Sequence, residues 1–308
     1  MRKLKKKVQN NYLKELRCQL IDKAFFLEKL PPYITTILDY GCADGALLNF
    51  IRETDIIKDK NAESDVPAYE LVGVESDDNF RRHAMENGVE VYENLDDVLI
   101  STNHYDMEKT CVNFSSSLHE MFWTDRFAAM EILRRFQRDP LVGAISIRDM
   151  WLEFPWDRNS MDSNVISYVE VTSLMRALIQ CYPVHFSAFV SSHIPPEIMC
   201  DKDKLFTQLI HFMLKCIYIG DEYIEDGCVV SPEWSNECVE NYLAFQKYFQ
   251  NAINYDYYTC IWSLNYSLPY LNRVWHEKFM NCGIDGILDK IGNLVKTHKQ
   301  MLFVRKPR

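Results

Sequence analysis

An α/β fold with a mostly parallel sheet and flanking helices is predicted by three observations. Apolar strand-like runs alternate with amphipathic helical runs through the first half of the chain, a glycine turn joins the first such pair, and the alternation stops near Trp151. Strands joined through helices pair in parallel by right-handed crossovers. The first half therefore reads as an open sheet, and the second as a helical insertion before the last strands.

Residues 8–30 place Leu13, Leu16, Leu20, Ala24 and Leu27 on one helical face, and Pro31-Pro32 ends the run. Strand 36–40 leads through the glycine turn into helix 46–53. A polar stretch at 54–67 precedes strand 69–75, helix 77–87 and strand 89–92, and then come strand 110–114, helix 122–138 and strand 141–147. Beyond Trp151 a polar loop at 157–163 opens a region, about 165 to 280, that reads as helices broken by loops. Its clearest helices are 165–181 and 202–219, followed by an aromatic-rich segment from Trp234 to Trp275, and 299–305 is the last strand. The expected divisions are an N-terminal amphipathic helix at 1–31, a ligand-binding sheet core at 32–152, a mainly helical insertion at 153–290, and a strand segment at 291–308 completing the sheet.

Composition narrows the function classes. The 308 residues are 47% hydrophobic and 13% aromatic, enough for one large core and a sizeable appendage. A net charge of -10 lacks the broad positive field that duplex nucleic acid requires, so nucleic acid is not a favoured partner, although a local basic groove stays open. Basic residues Arg2, Lys3, Lys5, Lys6 and Lys7 read as a solvated terminus, with an arm for an acidic partner as the alternative. No apolar signal region follows them, and the most apolar helical run, 205–219, is interrupted by Gln208, His211 and Lys215 and too short for a bilayer. A soluble protein without membrane association is expected. The 10 cysteines are scattered singly, without Cys-x-x-Cys or a Cys/His cluster, so neither a metal site nor a disulfide framework is expected and a reducing cytoplasm fits.

An open α/β sheet binds its ligand beyond the carboxyl ends of its strands, so the residues that follow each strand carry the functional reading. Asp39 ends the first strand, and Gly41 and Gly45 frame a turn holding Cys42 and Ala43. That turn brings backbone N–H groups to a helix N-terminus, where a ligand can approach closely. Leu71-Val72-Gly73-Val74-Glu75 is an apolar strand finishing in a carboxylate able to accept from both hydroxyls of a ribose; a surface glutamate ahead of a helix cap at Ser76 or Asp77 is the alternative. After the third strand, capping by Asn94 or Asp96 explains Glu93-Asn94-Leu95-Asp96-Asp97 as well as a ligand role does.

The run from Ile37 to Leu48 resembles the first motif of class I S-adenosylmethionine (SAM) methyltransferases, an acidic residue followed by Gly-x-x-x-Gly, with Ala43 where many relatives have glycine. The resemblance implies a Rossmann-like core with SAM as cofactor. It implies that Gly41, Cys42, Ala43 and Gly45 admit the cofactor, that Asp39 stabilises the turn or the methionine amino group, and that Glu75 binds the ribose. Asn94 and Leu95 would lie by the adenine, and Ser115-Ser116-Ser117-Leu118-His119-Glu120 would line the site shared by methyl group and acceptor.

Methyl transfer is an in-line displacement, so the protein must align a nucleophile and, where needed, remove its proton. His119, after the fourth strand, is the candidate base or acceptor-orienting group; Glu120 reads as a first-turn helix carboxylate. Arg148 is the candidate anchor for an anionic acceptor and Asp149 its orienter, with an Arg–Asp brace as the alternative, and Trp151 offers a stacking face.

The runs Ser-x-x-Leu-His-Glu, Ile-Arg-Asp-Met and 297–306 together resemble uncharacterised, often phage-associated methyltransferase-like proteins. That likeness implies a helical cover inserted on the acceptor side and, for a phage-encoded chain, a host cytoplasm. In the cover, Tyr255, Tyr257, Tyr258, Trp262, Tyr266, Tyr270, Trp275 and His276 suit either a stacking surface for a base or ordinary helix core, and His298 either returns to the crevice or ends a loop. The acceptor stays open among RNA, protein and small molecule. Two further readings share these features: a noncatalytic SAM-fold interaction protein, and a nicotinamide-dependent oxidoreductase, against which stands the missing Gly-x-Gly-x-x-Gly.

Overall fold

The computed structural model describes residues 19–53, 69–101, 106–138, 141–154, 165–216, 246, 249 and 252–307. The basic start, most of the first expected helix, the polar stretches 54–67 and 157–163, and most of 217–251 lie outside the described residues. The chain divides into two compact units. Tyr12–Met150, Lys247–Leu264 and Lys299–Arg308 make the sheet unit; Met1–Asn11, Trp151–Gln246 and Asn265–His298 make the helical unit.

In chain order the sheet unit carries α1 (Leu20–Lys23), β1 (Thr36–Tyr40), α2 (Ala46–Glu53), β2 (Glu70–Val74), α3 (Asp78–Glu86), β3 (Glu90–Tyr92), α4 (Leu95–Ser101), β4 (Thr110–Ser115), α5 (Leu118–Thr124), α6 (Arg126–Arg135) and the start of β5 (Ala144–Glu153). The strands β6 (Tyr258–Tyr266) and β7 (Lys296–Arg305) come late in the chain. Among the described residues seven strands form one sheet in the order β3-β2-β1-β4-β5-β7-β6. The pairs β1–β2, β2–β3, β1–β4 and β4–β5 are parallel. The Arg305 N–H donates to the Gly143 carbonyl and the Lys306 N–H to the Tyr257 carbonyl. The end of β7 thus lies beside the starts of β5 and β6, and β7 runs antiparallel to both. The strand order reverses between β1 and β4, which is where an open sheet leaves a crevice.

Burial explains the elements. Strand β1 is apolar apart from Thr36, Asp39 and Tyr40 because parallel strands are covered on both faces. Helix α2 buries Leu47, Leu48 and Ile51, spacing that turns one face to a core shared with Ile37, Cys111, Ala144 and Leu302. Full burial of each such side chain stabilises by roughly 1.5–3 kcal/mol. Helix α3 starts where the Asp77 carboxylate accepts the Asn79 and Phe80 N–H groups.

Three expectations change. Within residues 8–30 the described part is helical only to Lys23 and resumes as a short 3-10 turn at Leu27–Lys29, with Phe26 and Leu27 both buried. The expected helix 122–138 is two helices broken at Asp125, whose extended backbone lets its carboxylate cap Phe127 and Ala128. The aromatic-rich segment is not helical throughout, since 258–266 is strand β6. Tyr258 there is fully buried, its hydroxyl 3.0 Å from the Phe136 carbonyl and 2.9 Å from that of Val142.

The helical unit contains α7 (Tyr168–Cys181), α8 (Pro183–His193), α9 (Pro196–Met199), α10 (Lys202–Cys216), α11 (Pro269–Lys278) and α12 (Asp285–Leu294). A reciprocal Ser167–Glu170 capping box starts α7, and proline in the first turn starts α8, α9 and α11. Its core holds Leu174, Leu178, Phe186, Phe212 and Trp275, whose indole donates to the Met213 carbonyl at 3.1 Å. No helix among the described residues is long and apolar enough to cross a membrane.

Candidate functional site

The turn after β1 is tight and left-handed. Gly41, Ala43 and Gly45 have φ of 80°, 49° and 74°, a left-handed run in which glycine is the unstrained choice. A Cβ on Gly41 would lie 2.8 Å from the Ser117 Cβ, and one on Gly45 would lie 2.8 Å from Val89 Cγ2, so both places admit glycine alone. The Gly41 N–H donates to the Val74 carbonyl at 2.8 Å, which ties the turn to the end of β2. Cys42 turns inward: its buried sulfur fills the space that a Cβ on Gly73 would need, and burial pushes the thiol up, well above its usual range.

Glu75 stands half-buried at the end of β2 and joins this turn directly. Its Oε2 accepts the Ala43 N–H at 2.9 Å and its Oε1 the Asp77 N–H at 2.8 Å. These two contacts fix the orientation of the Glu75 carboxylate beside the turn. Asn94 is exposed and caps α4, its Oδ1 accepting from Asp97 N–H at 3.0 Å and its amide donating to the Asp97 carboxylate at 2.8 Å; Leu95 is buried.

A polar row crosses the sheet floor below the turn. Register places Asp39 beside Asn113 and Asn113 beside Ser146, on one face of three adjacent strands. Asn113 Nδ2 donates to Asp39 Oδ1 at 2.8 Å. Burial pushes the Asp39 carboxyl up to about 6, against the opposing pull of the Asn113 hydrogen bond and the positive charge of Lys23. Asn113 Oδ1, Ser115 Oγ, Ser117 Oγ and Ser146 Oγ are buried and form no hydrogen bond within the described protein. Orphaned buried polar atoms carry a desolvation cost, and four of them around one crevice mark a surface shaped for a polar ligand. Asn113 is not among the residues expected from sequence. An asparagine inside the apolar run Thr-Cys-Val-Asn-Phe was the available signal.

Strand β5 runs on to Glu153, past the boundary expected at residue 147, so Arg148 and Asp149 are strand residues on opposite faces and do not pair. Arg148 is fully buried. Its Nε meets Asp22 Oδ2 at 2.7 Å, one terminal nitrogen meets Ser116 Oγ at 2.5 Å, and the other meets Gln19 Oε1 at 2.9 Å. Gln300 Nε2 completes the cluster on Asp22 Oδ1 at 2.8 Å. Ser116 itself has φ of 60° and donates its N–H to the Arg148 carbonyl at 2.7 Å, a strained turn held from two sides.

Asp149 faces His119. His119 Nδ1 and Asp149 Oδ1 are 2.6 Å apart, both side chains are buried, and Asp149 Oδ2 accepts the His119 N–H at 3.2 Å. The carboxylate therefore fixes both the ring and the backbone of α5's first turn. A carboxylate on Nδ1 selects the tautomer that carries its proton there, which makes Nε2 the acceptor nitrogen of the ring.

Other expected residues fall elsewhere. In the sheet unit Tyr258 is buried at the start of β6, and Trp262, also in β6, carries the Lys29 ammonium 4.4 Å from its ring centroid. In the helical unit Trp275 is core, and His298 lies within β7, its Nδ1 2.9 Å from Thr297 Oγ1. Of these aromatics, Tyr255, Tyr257, Tyr258 and Trp262 belong to the sheet unit, and Tyr266, Trp275 and His276 to the helical unit. A void of about 10 Å³ lined by Thr36, Leu38, Val72, Val98, Met107 and Thr110 holds no more than a water and is not a ligand site.

No protein-family model matches the chain, and no curated protein does, so the likeness to phage-associated proteins rests on the sequence runs alone. Among solved structures, the plantazolicin methyltransferase BamL in complex with a triazolic desmethylPZN analog and SAH is 11% identical, with 98% of this chain and 91% of that one covered at a TM-score of 0.42. The cyclopropane synthase MmaA2 from Mycobacterium tuberculosis is 10% identical, covering 92% and 84% at 0.41. PKMT2 from Rickettsia typhi in complex with AdoHcy is 12% identical, covering 91% and 50% at 0.37.

Proposed function

We propose that this chain is a SAM-dependent methyltransferase. The observation that carries the reading is the left-handed Gly41–Gly45 turn clasped by Glu75 at the carboxyl end of a sheet whose order reverses between β1 and β4. The donor and acceptor set suits the cofactor: Asp39 and Asn113 Oδ1 accept from an ammonium group, and Glu75 accepts from ribose hydroxyls. Cys42, Ala43 and Ser115 line the same turn and strand end, and the backbone of Asn94 and Leu95 borders the adenine side.

SAM bound there supplies an electrophilic methyl group on a sulfonium. The residues of the chain do the remaining work. His119, held by Asp149, takes the acceptor's proton at Nε2 as the new bond forms, and Asp149 stabilises the imidazolium that results. The dyad suits an acceptor that must lose a proton, a hydroxyl or an amine, and leaves RNA, protein and small molecule as its sources. Arg148 acts through Ser116, fixing the strained turn that aims α5, so it is a positioning residue and not an anion anchor.

Calorimetric titration with SAM and with its demethylated product tests the reading. Saturable binding in the micromolar range is expected, and its loss in Gly41→Arg, which fills the backbone approach. No binding at high micromolar concentration would sink the proposal. His119→Ala should keep cofactor binding and lose roughly 10²–10⁴-fold in turnover once an acceptor is in hand.

A further inference from the structure

Helix α7 ends at Cys181, and Cys282 lies in the turn between α11 and α12. The two sulfurs are 3.1 Å apart, inside the van der Waals separation of two thiols, and both residues are half-buried free cysteines. Their positions are set by core packing. Tyr182, next to Cys181, stacks edge-on against Phe279 and Phe212 at ring separations of 6.0 Å. Phe279 in turn accepts the Cys282 N–H on its carbonyl at 3.0 Å, and left-handed Asn281 and Gly283, at φ of 70° and 69°, fix the turn on either side. Closing the contact to a disulfide length of about 2.0 Å requires a relative shift of about 1 Å.

We propose that Cys181 and Cys282 form a reversible, peroxide-driven disulfide that ties the end of α7 to the turn between α11 and α12. Peroxide oxidises one thiol to a sulfenic acid as its O–O bond breaks and one water leaves. The second thiol then attacks that sulfur, forming the S–S bond and releasing a second water. Two electrons pass from the thiol pair to the peroxide. Burial, then the neighbouring Cys282, pushes the Cys181 thiol up to about 12, so little of it is thiolate and its own attack on peroxide is slow. Once formed, the bond closes a loop spanning 101 positions of sequence and restricts the unfolded chain.

The test treats the reduced full-length protein with graded hydrogen peroxide, blocks the remaining thiols in denaturant and maps the peptides. The expected product is a Cys181–Cys282 cross-linked peptide pair lacking two hydrogens, reversed by dithiothreitol and accompanied by a higher unfolding temperature. Exposed Cys200 serves as the internal gauge of oxidant dose. Cys181 and Cys282 both still alkylated when Cys200 is oxidised, or joined to other cysteines, would overturn the proposal. So would a thermal shift of the same size in Cys282→Ser.

Discussion

Asp39 is held where water does not reach it, and its raised pKa records the cost of keeping a charge there. Its carboxyl titrates at about 6 when folded against an ordinary value of 3.8. The folded state therefore binds the proton more tightly than the unfolded chain does. The penalty is absent below the unfolded value, grows as pH rises between the two, and is complete above about 6. A shift of about two units corresponds to about 3 kcal/mol. Asp39→Asn keeps an acceptor for the Asn113 amide, so it should stabilise the protein by up to about 3 kcal/mol at pH 7.5 and by almost nothing at pH 4. It should also weaken SAM binding, because a neutral amide replaces the carboxylate facing the ammonium. Urea denaturation at both pH values checks the first expectation; equal gains at the two would refute it. Asp39, Gly41, Gly45 and Glu75 were readable from sequence because each ends or follows an apolar strand. The contact of His119 with Asp149 was not, since a strand running past its expected boundary decides which face each residue takes.

At the scale of elements, local chemistry decided the boundaries. The first five strands could be read because short runs rich in buried apolar residues alternate with helical patterns. Strand β6 could not: its alternating Thr259, Ile261 and Ser263 face outward from the sheet's edge, and its aromatics mimic a helix stripe. The division of α5 from α6 turned on one residue, Asp125, whose preference for capping outweighs the helical period on both sides. The same physics governs α7. There burial raises the Glu170 carboxyl, but the Ser167 backbone N–H, the Lys290 ammonium at 2.9 Å and the Ser167 hydroxyl hold it down to about 2. A lowered pKa means that Glu170 contributes stability above its ordinary value of 4.5 and loses it as pH falls through about 2. Its side-chain carboxyl should titrate near 2 by NMR; a midpoint near 4.5 would dissolve the assigned interactions. Ser167→Ala removes the reciprocal cap and should cost about 1 kcal/mol in chemical denaturation, and a change below 0.3 would show the box to be idle.

Across the sheet unit, a buried ionic cluster joins residues that sequence order keeps far apart. Arg148 meets Asp22 across 126 positions, and Gln300 meets Asp22 across 278. No local pattern announces such contacts, because each partner alone reads as an ordinary polar residue on its own element. Their arrangement carries a consequence for stability that differs from that of an apolar core. The Arg148 side chain is 1% exposed and that of Asp22 is 21% exposed, so removing the acid takes a carboxylate away from a buried guanidinium. Asp22→Ala should therefore destabilise by about 3 kcal/mol, near the lower end for breaking a buried pair, because the carboxylate itself is partly wet. Arg148→Met with Asp22→Leu removes both charges and keeps the volume, so the double variant should recover most of that loss. It should still lower turnover, since Ser116 loses the guanidinium that steadies its strained turn. A double-mutant cycle by urea denaturation separates these terms. If the double variant is as unstable as the sum of its single variants, the cluster is a set of independent contacts, and the coupling between α1 and the turn that aims His119 fails with it.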